Sequence, residues 1–563
     1  MLKSLSRILV GVALAAVAYA QPRITAGAVT NAASYVSPDL PNGAVARGSF
    51  FVIKGQNMGP AQIQVNSSLP FPRELAGTSI KVTVGGTTVD AYMYYTSANQ
   101  VAAILPSNTP SGTGTVTVTY NGQTSATAPI RVVDSSFGIF TLNQAGSGPG
   151  IVQNALSGTD IRLNTLTESA RPGGVAIIWG TGLGPVTTPN EAGQAPTIAD
   201  LPTAVEVYIG GQRANVLYKG RSSFVGLDQI NVTVPQNAPE GCYVPVVVRA
   251  GDNVSNFATM SIARNGGACS DTTGLTGAQL ESAQRNNNFR IGSIVLARTN
   301  SNLSVPGVGS AAMTADLGTG AFYAYNFNQV ISSQGLGSTS GAATAPGSCT
   351  VLSYTGQEPR VVDVQQPTPL DAGASLTITG PNGTKQLERI SPGIYSATLA
   401  SSINIPGVPN IPGLPGSGGP PFLDPGSYTI TGPGGSTVGA FSARLTLPTL
   451  LNWTNMAAVN QVTRSAGQTV TWSGGDPQGY VVILGASSFG ATGGAVFTCI
   501  ERASAGTFTI PAYVLSALPA TVGDNIGFLT LNNVTQPVSF TATGLDLGNI
   551  IASSGSQKTV TYR

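Results

Sequence analysis

The sequence repeats itself after about 125 residues, and this repeat constrains the fold more than any other feature. The segment 46–60 matches the segment 171–185. Further landmarks follow in the same order in both copies: Gly85-Gly86 with Gly210-Gly211, 99–106 with 228–235, and Gly112 with Gly241. We therefore predict two copies of one domain, over 24–135 and 136–269.

Each copy shows the alternation of apolar and polar residues that is typical of β-strands. Three apolar side chains alternate with polar ones over 80–84, and the pattern recurs over 205–209 and 230–234. Alternation places one set of side chains in a core and the other toward solvent. Asn121-Gly122, after another alternating run, indicates a tight hairpin turn. Short strands with frequent turns in a unit of this length predict a β-sandwich.

The chain after the repeats is predicted to contain three further units. Residues 270–358 form a mixed α+β segment, with a short helix over 276–286 and Thr276 as its N-cap. Residues 359–449 form a β domain that contains a Pro/Gly-rich loop at 404–426, and 450–563 form a C-terminal β domain. The predicted fold class is therefore mostly β: tandem β-sandwich domains with a short mixed α/β segment.

The N-terminus, 1–20, is typical of a secretory signal peptide. Lys3 and Arg7 precede an apolar run, and Ala18-Tyr19-Ala20 fits a cleavage site. This run is shorter than the roughly 20 apolar residues that a membrane span needs. We therefore predict a mature chain without a membrane span that is secreted or located at the cell surface.

Export permits disulfide bonds, and the chain has four cysteines: Cys242, Cys269, Cys349 and Cys499. Four cysteines allow three pairings. Spacing favours one bond between the first two and one between the last two. A Cys₄ metal site is the alternative, but its usual closely spaced cysteine pairs are absent from the sequence. We predict no metal site.

Low charge and the lack of histidine exclude several classes of function. Charged residues make up 9% of the chain and the net charge is +2, whereas a nucleic-acid binder needs a concentrated basic face. Without histidine there is no Ser-His-Asp or Cys-His catalysis and no His-ligated metal. We predict no cofactor and no catalytic residue. A glycoside hydrolase with two catalytic carboxylates stays open, because 24 acidic residues are available.

The segment Gly180–Pro185 follows an apolar run and has the glycine content of a nucleotide-binding loop. Pro185 stands, however, where the last glycine of G-x-G-x-x-G would be. The first copy has Asn57 where the second has Gly182, and both residue types tolerate positive φ. These features favour a tight turn.

Aromatic residues give the main indication of a binding role. Alternation places Tyr92 and Tyr94 on one face of a strand, with Met93 and Tyr95 on the other. Exposed rings can stack on sugars, and Trp472 could act in the same way; core packing is the alternative. Separately, the internal alignment sets Trp179 opposite Lys54, which indicates a position near the sheet surface.

Several motifs together resemble those of large secreted proteins of Acidobacteria that carry the Solibacter-type uncharacterised C-terminal domain. These motifs are Val29–Ser34, the turns at 55–60 and 180–185, Asp228–Pro235, Gly241–Val246 and Ser255-Asn256. The resemblance covers about 24–269. It implies immunoglobulin-like domains similar to IPT/TIG domains, and it implies no activity.

These observations predict a secreted or cell-surface, non-enzymatic structural or adhesion protein. One alternative is a carbohydrate-binding protein that uses Tyr92, Tyr94 and Trp472. The other is an unrecognised carboxylate-based glycoside hydrolase. The predicted partners are polysaccharides, other surface proteins or further copies of the chain, since a weakly charged, hydrogen-bonding surface and unpaired sheet edges suit such contacts.

Overall fold

The computed structural model describes residues 20–186, 198–305, 309–332, 345–354, 366–404, 420–489, 493–523 and 526–563. The predicted signal peptide, apart from Ala20, lies outside the described residues. Residues 405–419 of the predicted Pro/Gly-rich loop also lie outside them.

The first predicted domain is a sandwich of two sheets. Its strands are β1 (Arg23–Asn31), β2 (Val45–Ala46), β3 (Phe50–Gln56), β4 (Gln64–Val65), β5 (Glu74–Leu75), β6 (Thr78–Val84), β7 (Thr87–Asp90), β8 (Tyr92–Thr96), β9 (Gln100–Ile104), β10 (Gly112–Tyr120), β11 (Gln123–Thr124) and β12 (Ala128–Val133). One sheet has the order β1-β3-β9-β8-β4, and the other has the order β2-β12-β10-β6-β5. The apolar residues of the alternating run 80–84 are buried in the core between the sheets.

The second predicted domain is built in the same way. Its strands are β13 (Gly138–Ile139), β14 (Gly148–Pro149), β15 (Val152–Ala155), β16 (Ile161–Leu163), β17 (Val175–Thr181), β18 (Ala199–Asp200), β19 (Val205–Ile209), β20 (Gln212–Arg221), β21 (Asp228–Thr233), β22 (Gly241–Ala250), β23 (Asn253–Val254) and β24 (Ala258–Ile262). Strand β20 belongs to both sheets, because its start pairs with β19 and its remainder pairs with β21.

The two domains share one topology. Strand β3 pairs with β9, and β9 with β8, just as β17 pairs with β21, and β21 with β20. The last long strand of each domain pairs in parallel with a two-residue strand, β12 with β2 and β24 with β14. This symmetry confirms the duplication and the predicted fold class, which is mostly β with tandem immunoglobulin-like sandwich domains.

The remainder of the chain contains two long strands, several shorter ones and three short helices within its described part. Its first elements are α1 (Gly277–Asn286), β25 (Phe289–Val305), β26 (Gly309–Tyr325), α2 (Phe327–Ser332), β27 (Ser348–Tyr354), β28 (Thr368–Pro369), β29 (Ser375–Gly380), β30 (Gly383–Ser391), β31 (Ile394–Asn404), β32 (Gly426–Gly432) and β33 (Phe441–Leu447). Its last elements are β34 (Leu451–Trp453), β35 (Gln461–Val462), β36 (Gln468–Gly474), β37 (Tyr480–Phe489), β38 (Gly493–Arg502), β39 (Thr507–Ile510), α3 (Ala512–Leu515), β40 (Gly527–Val534), β41 (Val538–Phe540), β42 (Leu547–Thr559) and β43 (Thr561–Tyr562). Single 3₁₀ turns lie at Met456–Ala458 and Ala503–Ala505.

Strands from all three predicted units after 269 hydrogen-bond in one sheet. Its order is β27-β38-β37-β40-β42-β25-β26-β31-β30-β29-β32-β33. Strand β25 pairs in parallel with β42, so residues near 291 lie beside residues near 547. The sheet therefore crosses the boundaries predicted at 358/359 and 449/450, and those boundaries stay predictions.

The helix predicted over 276–286 begins where its cap was predicted. The Thr276 hydroxyl accepts a hydrogen bond from the Gln279 N–H at 3.4 Å, and the Gln279 side chain accepts one from the Thr276 N–H at 2.9 Å. This is a capping box. Leu280 and Ala283 bury one helix face against the core that contains the first disulfide bond.

Both disulfide bonds have the pairing that spacing favoured. Cys242 in β22 is bonded to Cys269, and Cys349 in β27 is bonded to Cys499 in β38. The second bond lies in a buried cluster that also includes Phe257 of the second domain. The C-terminal sheet therefore packs against the second domain close to this bond.

Candidate functional site

A β-bulge in β8 decides which tyrosines face outward from the first domain. Met93 and Tyr95 pair with consecutive residues of β9, so Tyr94 is an extra residue between them. The bulge shifts the inward–outward alternation by one position. Met93 lies in the core, whereas Tyr92, Tyr94 and Tyr95 are only partly buried. The prediction that Tyr95 shares a face with Met93 is wrong, because a period of two does not continue through a bulge.

Two of these outward rings, those of Tyr94 and Tyr95, line an aromatic groove. Tyr94 stacks on Phe71, with ring centroids 5.7 Å apart and planes 15° apart. The ring of Phe50 lies 5.2 Å from that of Tyr94. Val52 and Ala102 complete the floor of the groove. The groove has a volume of about 580 Å³. The sheet face that a single sandwich would leave to solvent is here a concave apolar surface.

The second domain supplies the opposite wall of this groove. Phe140, Ile151 and the loop 222–227 line it, and Phe224 in that loop is 63% exposed. Gly226 brings the loop close to the first domain: a Cβ atom there would lie 2.7 Å from Cε2 of Phe50. The shape of the groove therefore depends on how the two domains are docked.

The aromatic groove continues into a polar half. Tyr35, Tyr95 and Gln144 line both halves. The polar half, of about 530 Å³, is also lined by Gln62 and by Lys54, whose ammonium lies 5.1 Å from the centroid of the Tyr35 ring. Rings on one side and amide groups on the other suit a ligand that carries both apolar faces and hydroxyl groups.

Asn31, in the first of the sequence motifs, joins the two domains. Its Nδ2 donates to the carbonyl oxygens of Ser136 (3.0 Å) and Thr181 (3.1 Å) in the second domain. Its Oδ1 accepts from the N–H groups of Ala33 (2.8 Å) and Ser34 (3.2 Å) in the first. Asn31 is 3% exposed, so these four bonds are shielded from water. They hold the chain segment that forms the groove floor against the one that forms its wall.

Two further motif residues position these segments, Thr181 across the junction and Asn256 within the second domain. The Thr181 hydroxyl donates to the Gly226 carbonyl at 2.8 Å and accepts from the Phe50 N–H at 3.0 Å. The Asn256 side chain accepts from the Ile139 N–H at 2.8 Å and donates to the Ile139 carbonyl at 2.9 Å. The motifs that carry the family resemblance therefore have a structural role, which is to position the walls of the groove.

The segment Gly180–Pro185 is a turn closed by a buried carboxylate. Oδ2 of Asp228 accepts from the N–H groups of Gly182 and Leu183, both at 2.7 Å. Burial raises the pKa of Asp228, and Arg221, with Nη1 3.3 Å from Oδ1, opposes that shift. The carboxylate occupies the amides that a phosphate group would need. This geometry, with positive φ at Gly182 and Gly184, agrees with the interpretation as a tight turn after the strand.

The residues predicted to bind a ligand lie in different surroundings. Tyr94 lines the aromatic groove. The ring of Tyr92 is covered by Arg73, whose Cζ lies 3.4 Å from its centroid. Trp472 is 4% exposed, and its Nε1 donates to the Ala503 carbonyl at 2.8 Å inside the C-terminal core. The expectation of an exposed ring at Trp472 therefore has to be corrected, because Trp472 lies with Val470 on the core face of β36, whose other face is exposed.

Sequence reasoning missed Phe71, Phe224 and Gln144. Each of these residues lies outside the strands, where no period in the sequence reports the direction of a side chain. Only Phe224 lies close to a sequence motif, the segment 228–235. Their convergence depends on the docking of two domains, which the sequence of either copy does not encode alone.

Carboxylates in the C-terminal sheet are engaged in ion pairs. Arg298 donates two bonds of 2.7 Å to Asp316 and one of 2.9 Å to Asp424. Asp316 also accepts from the N–H groups of Phe422 and Leu423. The hydrogen bond from Arg298 lowers the pKa of Asp424, whereas the general acid of a glycoside hydrolase needs a raised pKa. This pair stabilises the sheet and has the wrong electrostatics for that chemistry.

The described residues contain neither a cluster of metal ligands nor a helix that could span a membrane. Nowhere in the part of the chain that the structure describes do three cysteine or acidic side chains group as a metal site would require. Among the same residues, no helix has the length and apolar character to cross a membrane.

Comparison with known proteins identifies one domain family. Residues 34–132, which make up most of the first sandwich, match the IPT/TIG domain. No curated protein sequence matches the chain.

Among solved structures, the chain is similar to the tetra-tandem repeat in the extending region of a large adhesion protein. The identity is 11%, over 96% of this chain and 98% of that one, with a TM-score of 0.14. It is also similar to SGBP-B from a complex xyloglucan utilization locus in Bacteroides uniformis, with 12% identity over 68% and 87% of the two chains and a TM-score of 0.16. Because both TM-scores are low, neither similarity carries an argument about function.

Proposed function

We propose that this chain is a secreted or cell-surface, non-enzymatic adhesion protein of the acidobacterial type described above, and that it binds a neutral polysaccharide in the groove between its first two domains. The observation that carries this proposal is the groove itself, in which stacked rings adjoin amide side chains. The signal peptide over 1–20 and the domain boundaries given above are part of the proposal.

The chemistry of the groove fits sugar rings. A pyranose ring has apolar C–H faces that pack on aromatic rings, and Phe71, Tyr94 and Phe224 present such rings. Its hydroxyl groups both donate and accept hydrogen bonds, as do the amides of Gln62 and Gln144. A chain in which only 9% of residues are charged is suited to an uncharged ligand.

The rest of the chain supports a role outside the cell. Two disulfide bonds persist in oxidising compartments. The second domain packs on the C-terminal region through a stack of Tyr208 on Tyr513 of α3, with ring centroids 4.4 Å apart. Because the domains are joined through buried contacts, we propose that the array acts as a stiff support that displays the groove.

The test is retention of the mature protein on a panel of immobilised neutral polysaccharides. We expect saturable binding to at least one of them. Phe224→Ala should weaken it by about tenfold, because a side chain that is 63% exposed contributes little to folding but lines the groove. Tyr354→Ala removes a ring that is 41% exposed on β27 and should leave binding unchanged, so it is the matched control.

A second variant and a product assay separate the alternatives. Tyr94→Phe keeps the stacked ring and should retain binding, whereas Tyr94→Ala should lose it. No release of reducing sugar is expected from the bound polysaccharide, and release would favour the carboxylate-based hydrolase instead. Absence of binding across the panel would contradict the proposal and would direct the search to protein partners and self-association.

A further inference from the structure

Trp179 lies on the outer face of the second domain, directly beside the wall of the aromatic groove. Its neighbours in the strand, Ile178 and Gly180, are buried on the core side, whereas Trp179 itself is partly exposed. Backbone bonds join it to both wall residues: its N–H donates to the Ile151 carbonyl (3.1 Å), and its carbonyl accepts from the Phe140 N–H (3.0 Å). Residues bonded across neighbouring strands share a face. The outer face of this sheet is therefore continuous with the groove.

Amide side chains surround the Trp179 ring. Nε1 of Trp179 donates to Oε1 of Gln153 at 2.7 Å, which fixes the orientation of the indole. Gln229 is directly opposite Trp179 in the register of β17 with β21. Its Nε2 donates to Oδ1 of Asn231 at 2.8 Å. An oriented ring beside three uncharged amides repeats the chemistry of the groove in the neighbouring domain.

The internal repeat gives an independent reason to compare the two faces. Lys54 in β3 pairs with Gln100 in β9, and both border the polar half of the groove. At the matching positions of the second copy, Trp179 pairs with Gln229. The duplicated domain thus places a side chain that can contact a ligand, Lys54 or Trp179, at the same location on each sheet. In the first copy this location already belongs to the groove.

We infer that the ligand is an extended neutral polysaccharide chain that runs from the groove, over Phe140 and Ile151, onto Trp179 and its amides. This inference rests on the proposed function and adds the length and the path of the ligand. Short oligosaccharides fill the groove alone. Longer ones gain a second stacking contact at Trp179, together with hydrogen bonds to Gln153 and Gln229.

The probes are di- and hexasaccharides of the cello, manno, xylo and laminari series, titrated against the mature full-length protein. In the series that binds, the hexasaccharide should bind at least tenfold more tightly than the disaccharide. Trp179→Ala should remove that advantage and leave disaccharide affinity unchanged. Phe224→Ala should weaken both. Gln229→Ala, which changes an amide and keeps the ring, should weaken only the hexasaccharide.

Tryptophan fluorescence reports the contact directly. The chain has three tryptophans, and Trp453 and Trp472 are 5% and 4% exposed in the C-terminal core. The hexasaccharide should therefore change the emission of Trp179 alone, and Trp179→Phe should abolish that change. The inference would be overturned if Trp179→Ala and wild type bind the hexasaccharide with equal affinity and the emission does not change. The proposed groove would still be supported in that case if Phe224→Ala weakens binding. If neither length of any series binds, the proposed function fails, and this inference fails with it.

Discussion

Replacing Asn31 by alanine should loosen the junction between the first two domains far more than its small size suggests. The change strands two carbonyl groups and two N–H groups that Asn31 satisfies at 2.8–3.2 Å. Asn31 is 3% exposed, so water does not reach these groups while the junction stays closed. A buried, unsatisfied polar group costs about 1–3 kcal/mol. Since some of the four groups can find new partners, we expect a total loss of about 3–6 kcal/mol.

Native-state hydrogen exchange on the full chain measures this loss locally, which suits a multidomain protein that does not unfold in one step. The informative amide is that of Phe50 in the first domain, which donates to the Thr181 hydroxyl in the second. A loss of about 3 kcal/mol corresponds to exchange about a hundredfold faster. Asn237→Ala, at an exposed amide, is the control and should change little.

Asn31→Asp separates the two halves of the argument. The carboxylate still accepts from the N–H groups of Ala33 and Ser34, but it sets an oxygen against the carbonyls of Ser136 and Thr181. In this variant, protection from exchange should persist at the amides of Ala33 and Ser34 and should fall at the junction amide of Phe50. Exchange at Phe50 within fivefold of wild type in Asn31→Ala would refute the view that this side chain holds the domains together.

Three further predictions concern packing, pH and the disulfide bonds. Gly226→Ala should destabilise the junction by about 2–4 kcal/mol, because the new Cβ would lie 2.7 Å from Phe50 and the residue would keep a φ of +70°. Gly86→Ala is the control: its φ is +80° but its surroundings are open, so thermal unfolding should show a loss of only about 1 kcal/mol. Burial raises the pKa of Asp271 to about 6, above its value in the unfolded chain, so its contribution to stability falls as pH rises from about 4 to about 6. Asp271→Asn should remove this pH dependence and raise the free energy of unfolding by at most about 3 kcal/mol at pH 7. Parallel pH–stability curves for the variant and the wild type would contradict this. Removing the disulfide bond that spans 150 residues should cost about 5 kcal/mol of stability, against about 3.5 kcal/mol for the bond that spans 27. Each bond is removed in a separate variant by replacing both of its cysteines with alanine. Equal losses of melting temperature in the two variants would contradict the loop-length argument.

The sequence predicted those parts of the fold that depend on local periodicity. Alternation over 80–84 located β6, and the Thr276 cap located α1, because each signal lies within a few residues of the feature that it reports. The internal repeat carried this further, since equal landmarks in equal order require equal topology. Three disulfide pairings were possible from the sequence, and spacing favoured the one that the structure shows.

The candidate site was predicted only in part. Tyr94 was identified, but the bulge that turns Tyr95 outward adds one residue with no compositional mark. Trp472 was misjudged because alternation groups it with Val470 on one face of β36 but does not show which face the core covers. Phe71 and Phe224 lie on different domains and are 153 residues apart, so no local pattern could bring them together.

The parallel pairing of β25 with β42 has a consequence for the order in which the chain reaches its native state. The two partners are separated by some 250 residues, and pairings of such separation form slowly. The two N-terminal sandwiches contain all their own strands and can close as soon as they are synthesised. The C-terminal sheet has to wait for its last long strand. Until then β25 presents an open edge to any other extended chain, so a product cut short after residue 449 should aggregate through that edge while its N-terminal half stays folded.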